Sequence, residues 1–157
     1  MDALFVAADG FNDRELLYVA QRLREEDVEV VKARDVGDGT KTTLDDGYDL
    51  VHVTGGERGE KERARVGDTV RHGTEDGALV TAVGEGVEVL VEAGVAGDRQ
   101  VAARGDTAEK VRAVDGRAYD EPVVVDAKML TTVGGDALAE FGAEVVRKVR
   151  RARLKDL

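Results

Sequence analysis

No cysteine occurs in this chain of 157 residues, and no serine either. The first absence removes disulfides, thiolate metal ligation and thiol redox switching together. Both absences together exclude nucleophilic catalysis through Ser or Cys. Tryptophan is missing as well, and three Tyr with three Phe leave few rings to sandwich a flavin. No apolar run approaches the roughly 18 residues of a transmembrane helix. Positive charge is scarce: 23 Lys and Arg stand against 33 Asp and Glu, a formal net charge of -10. Such a balance argues against binding a nucleic-acid backbone, which needs clustered cations.

Charged residues nevertheless make up 36% of the chain. Lysine is confined to Lys32, Lys41, Lys61, Lys110, Lys128, Lys148 and Lys155, and the apolar set leans on Val and Ala. An acidic, Lys-poor and aromatic-poor composition resembles proteins of cytoplasms that hold molar salt. There the Debye length falls to roughly 3 Å and self-repulsion is screened. One basic cluster exists, at Arg147, Lys148, Arg150, Arg151, Arg153 and Lys155; cations in the last turns of a helix complement its dipole. Met1-Asp2-Ala3-Leu4 leads straight into an apolar strand without a basic signal region, so a cytoplasmic location is expected.

The length suits one domain, 1–157, with one substantial core. Apolar runs at 3–8 and 28–33 flank a segment, 15–24, with apolar residues at 16, 17, 20 and 23. That spacing predicts a helix, capped by Asn12 or Asp13, inside a right-handed βαβ unit. Residues 34–47 read as a polar loop. A strand over 50–53, a polar helix over 60–74 and a strand over 78–83 follow. After a sharp turn at Gly84 comes a helix to 93, then a weak strand over 100–103 and a short helix over 108–113. Residues 123–132 predict two strands around a tight turn. The last helix, 136–153, has an apolar stripe at 137, 138, 141, 145, 146 and 149. Alternating strands and helices predict a three-layer α/β/α sandwich, flavodoxin-like, with a mostly parallel sheet.

Four segments, in order along nearly the whole chain, carry a family likeness: LFVAADGFNDRELLY at 4–18, YDLVHVTGG at 48–56, EAGVAGDR at 92–99 and DEPVVVD at 120–126. The chain resembles the PfpI (DJ-one) superfamily of class I glutamine-amidotransferase-like folds, which includes intracellular proteases, deglycase-like enzymes and chaperone-like members. The resemblance implies a Cys-His-Gly elbow where this chain has Gly84-Glu85-Gly86, so the nucleophile and its neighbouring base are both replaced. It implies that Glu15 corresponds to the glutamate approaching the cysteine, with Asn12 at a commonly acidic position. A Glu from a neighbouring subunit completes the site in the PfpI-like branch, and Glu60 falls at that position. The family's Pro before the Gly pair is Thr54 here.

The binding pocket expected on this basis comprises Asn12, Glu15, Thr54, Gly55, Gly56, Gly84, Glu85 and Gly86. No catalytic residue is assigned; Glu15, Glu60 and Glu85 are candidates for carboxylate acid-base work on a carbonyl compound. Glycine at 84 keeps the turn without the strain of an L-residue. His52 in an apolar strand reads as a core or interface residue, and His72 as solvent-facing. The turns 54–59 and 84–86 match no phosphate-binding pattern, and no spacing supports a metal, so no cofactor is expected. The leading reading is a non-catalytic small-molecule-binding or protein-interaction module, forming a homodimer or higher homo-oligomer, without nucleic acid or membrane partners. The alternative is a carboxylate-based glyoxalase-like, deglycase-like or protease-like enzyme. A third is a structural or chaperone-like subunit that pairs with a catalytic homologue.

Overall fold

Strand β1 (Asp2–Ala7) is buried at five of its six positions, as a central parallel strand covered on both faces must be. The structure, a computed structural model, describes residues 1–8, 12–34 and 47–155. Around β1 assemble β2 (Glu29–Arg34), β3 (Leu50–Val53), β4 (Leu79–Val83), β7 (Val123–Asp126) and β8 (Met129–Thr132). Their order across the sheet is β2-β1-β3-β4-β8-β7. Every pairing is parallel except that of β7 with β8, a hairpin at one edge. This is the expected mostly parallel sheet.

Side chains alternate along β1 between two cores. Ala3 and Phe5 pack with Leu16, Leu23, Leu130, Phe141 and Val145, under α1 (Asp13–Arg24) and α5 (Leu138–Lys155). Leu4 and Val6 pack with Val51, Val66, Val70, Leu90 and Val111 on the opposite face. There lie α2 (Glu60–Glu75), α3 (Gly86–Glu92) and α4 (Gly105–Ala113). The result is the three-layer, flavodoxin-like α/β/α sandwich. Among the described residues no helix is long and apolar enough to cross a membrane.

Several details differ from the sequence expectation. The buried stripe of α1 is Leu16, Val19, Ala20 and Leu23, the i, i+3, i+4, i+7 set. Leu17, expected on that stripe, is 53% exposed. An unexpected strand β6 (Arg117–Tyr119) pairs in parallel with β5 (Gln100–Ala102) as a separate ribbon. Thr131 anchors that ribbon to the main sheet by accepting from Ala102 N at 2.8 Å. The last helix is preceded by a 3₁₀ turn, Gly135–Ala137, so Ala137 and Leu138 are only half-buried. Most of the expected loop over 34–47 lies outside the described residues.

His52 stands in the first of these cores, its ring 4.6 Å from Phe5 and 6.1 Å from Phe141 between centroids. Its Nδ1 lies 2.7 Å from Thr81 Oγ1. Burial, helped by the nearby Arg58 guanidinium, pushes its pKa from 6.5 down to about 3. Above pH 6.5 the ring is neutral in the folded and unfolded chains and costs nothing. Between 6.5 and about 3 the unfolded chain takes up a proton that the folded chain refuses. Stability from this group therefore falls with pH by about 1.4 kcal/mol per unit in that window. We predict that denaturant unfolding followed from pH 6.5 to 4 is steeper in pH for the wild type than for His52→Asn by about this amount; parallel profiles would refute the assignment.

Candidate functional site

In open parallel sheets, crevices form outside the carboxyl ends of the strands where the winding reverses. Here the chain goes from β1 to β2 on one side, and β3 flanks β1 on the other. The segments that follow β1, β3, β4 and β8 meet at that end.

After β1, Asn12 caps α1: its Oδ1 accepts from Arg14 N at 3.0 Å and Glu15 N at 3.2 Å. Of the two residues that the sequence offered as caps, Asn12 makes these bonds. The cap sets Glu15 in the first turn, where its Oε1 accepts from Gly135 N at 3.0 Å. A Cβ on Gly134, whose φ is +85°, would come within 2.8 Å of the same oxygen. The carboxylate therefore lies on bare backbone beyond β8.

After β3, Thr54 is buried and joins the ends of two strands. Its Oγ1 donates to Val6 O at 3.3 Å and accepts from Ala8 N at 3.2 Å. Arg58 folds back over the same corner, donating to Thr54 O at 2.8 Å and Val6 O at 3.1 Å. Between them, Gly56 N donates to Glu85 Oε2 at 3.2 Å.

After β4 the chain turns at Gly84, whose φ of +55° lies in the left-handed region. A Cβ there would meet nothing within 4 Å among the described residues, whereas one on Gly86 would lie 2.6 Å from Val53 O. Space at the apex is open, and space at the first helical residue is closed. One turn along α3, Glu88 is held by Thr107 Oγ1 at 2.9 Å and by the ammonium of Lys110.

These groups enclose a cleft of about 770 Å³ lined by Asn12, Glu15, Gly55, Gly56, Glu57, Arg58, Arg63, Glu85, Glu88 and Val89. Glu15 and Glu85 are thus brought together with Asn12 and the glycine pair. Thr54 lies beneath the rim, and Gly86 is buried behind it. Gly84 instead borders an adjoining hollow of about 170 Å³, which it shares with Glu85, Ala103 and Thr107. Glu60 does not line the cleft; it borders a groove of about 310 Å³ with Arg63 and Glu92. Glu60 opens α2, and among the described residues only Arg63, three residues on, lines both cavities.

Sequence reasoning missed Glu57, Arg58, Arg63, Glu88 and Val89. Glu88 follows Glu85 by three residues, a helical spacing that places both on one side of the elbow. Arg58 had no local signal, because its partner Val6 is 52 residues away in the chain. Among the described residues the lining carries four carboxylates and two guanidinium groups, with Arg63 paired to Glu92 at 3.2 Å. Glu15 and Glu85 each engage one backbone N–H and keep acceptor capacity for a ligand's donors. Among the described residues no three His, Asp or Glu gather closely enough to hold a metal ion.

The two glycines of the elbow should respond differently to the same substitution. Gly84→Ala is expected to cost about 1–2 kcal/mol, the penalty of a left-handed L-residue in free space. Gly86→Ala carries no such penalty but must displace the backbone at the end of β3, at about 3 kcal/mol or more. Urea midpoints of the two variants test the order, and a larger loss for Gly84→Ala would contradict the geometry.

Comparisons with known proteins agree with this architecture. A family model described as the DJ-1/PfpI family matches residues 1–148. An uncharacterized protein of Archaeoglobus fulgidus is 29% identical over 96% of this chain and 99% of its own length. Drosophila melanogaster DJ-1beta superposes with a TM-score of 0.80 at 21% identity, covering 94% of this chain and 89% of that one. A two-domain protein of Anabaena variabilis, with DJ-1/ThiJ/PfpI-like and ferritin-like domains, superposes with a TM-score of 0.82 at 19% identity. That match covers 95% of this chain and 50% of the two-domain protein. With a matching family model over nearly its whole length and the same layered sheet, the chain belongs to the DJ-1/PfpI family.

Proposed function

We propose that this protein is a DJ-1/PfpI-type binding module that has given up nucleophilic catalysis. Gly84 carries the proposal. It occupies the elbow apex, where the Cys-His-Gly resemblance puts the thiol, with φ +55° and no side chain to react. Glu85 replaces the neighbouring base and bonds to Gly56 N rather than activating a nucleophile. Among the described residues no side chain fills the cleft, and the four carboxylates they place on its wall suit a small molecule rich in hydrogen-bond donors. We further propose a homodimer or a higher assembly of one PfpI-like domain per chain. A second subunit would bring its Glu60 toward this cleft, as the resemblance implies. The acidic, Lys-poor composition supports a salt-rich cytoplasm as its setting.

A second reading deserves a test because Glu15 and Glu85 face one cleft. Together they could move protons at a carbonyl substrate without any nucleophile, as in glyoxalase-like chemistry.

The experiment is a turnover assay of the purified wild type in molar KCl with methylglyoxal and with an amide substrate. The expected outcome is no consumption above the protein-free rate. Turnover that Glu15→Gln abolishes would overturn the binding-module reading and make Glu15 the acid-base group.

A further inference from the structure

The opposite end of the sheet, where the parallel strands begin, holds a pocket of reversed charge. It has a volume of about 260 Å³ and lies between the starts of β1, β3, β4 and β8 and the last turns of α5. Lys128, Lys148, Arg151 and Lys155 line it, against Asp49 and Asp76. Three of the chain's few lysines therefore converge on one small cavity, in a molecule of net charge -10.

The cations of α5 divide into two sets. Arg147 pairs with Glu144 at 2.5 Å, Arg150 pairs with Glu26 at 2.5 Å, and Arg153 donates to Glu26 O. Lys148, Arg151 and Lys155 recur at i, i+3 and i+7, one stripe of the helix, and line the pocket instead. Among the described residues none of these three belongs to an ion pair, although acids outnumber bases in the chain. Lys128 comes from a different element and is fixed by donating to Gly77 O at 2.7 Å. Asp49 is already engaged by Asp2 N at 2.9 Å. The helix dipole accounts for a cation in the final turn, since its effect fades beyond that turn. It explains neither Lys148, some two turns earlier, nor Lys128.

We propose that this pocket is a second ligand site, separate from the Glu15–Glu85 cleft, which takes a small multivalent oxyanion of the phosphate-ester or polycarboxylate class. Arg151 offers a planar fork to two oxygens, and the ammonium groups complete the charge around it. Tyr48, Ala78 and Leu79 give the cavity an apolar wall for the body of the ligand. Lys128, Arg151 and Lys155 are exposed and Lys148 half-buried, so affinity at this site should fall as salt rises.

Calorimetric titration of the full chain with inorganic pyrophosphate, and separately with citrate, at constant ionic strength tests the site. One-to-one binding of pyrophosphate alone would identify the phosphate-ester class, and of citrate alone the polycarboxylate class. In either case Lys148→Gln with Arg151→Gln should weaken binding about tenfold or more, the loss of charge-assisted bonds, while Glu15→Gln leaves it unchanged. Should the double variant fail to fold, Lys155→Gln at the exposed helix end should still weaken binding measurably. Absence of binding by both anions, or affinities indifferent to these substitutions, would overturn the proposal.

Discussion

Helix α3 starts so close to the end of β3 that a Cβ on Gly86 would sit 2.6 Å from Val53 O and 2.9 Å from Thr54 O. Much of the candidate site depends on that contact. It locks the β4–α3 elbow against the corner that Thr54 and Arg58 tie to β1. It also sets Gly56 N under the Glu85 carboxylate, where a side chain on Gly55 would crowd the acceptor at 3.1 Å. Backbone, rather than any reactive group, frames the cleft. On the proposed reading, such a frame persists when the residue at its apex carries no nucleophile, since fold and chemistry are separable.

The apex is occupied by a residue that suits its backbone. A nucleophile elbow holds an L-residue in left-handed backbone, a cost of about 1–3 kcal/mol that is retained only where function requires it. Glycine at φ +55° keeps the same turn without that cost. The carboxylates then find backbone partners: Glu15 on Gly135 N, Glu85 on Gly56 N. The carboxyl ends of the parallel strands thus gather acids, and the amino ends gather Lys128, Lys148, Arg151 and Lys155. Acids outnumber bases at the one cavity, and bases outnumber acids at the other.

Strong local periodicity made the sheet and its layers legible in the sequence. Buried parallel strands such as β1 and β4 are almost wholly apolar, and the 141, 145, 146 and 149 stripe of α5 is buried as its spacing requires. Legibility failed where tertiary context decides. Leu17 is apolar yet faces outward, while Val19, one position round the helix from the expected set, is in the core. β6 is three residues of Arg-Ala-Tyr, with no run or alternation long enough to mark it, and it exists by pairing with β5. In the site, Glu15, Glu85 and the glycine pair were legible through the family likeness. Arg58 was not, because its role is to reach Val6 across 52 residues of sequence. Glu60 was placed by likeness to an arrangement that needs a second subunit, and within one chain it borders a different groove.

The central claim is that the cleft retains the family frame and lacks only its reactive group. Restoring that group tests it most directly: the double variant Gly84→Cys, Glu85→His, assayed in molar KCl for methylglyoxal consumption beside the unmodified protein. The frame leaves space at residue 84, with nothing among the described residues within 4 Å of a new Cβ. The account predicts a folded variant with a reactive thiol and turnover that the unmodified chain lacks. A variant that folds equally well, yet stays inert with an unreactive thiol, would contradict it.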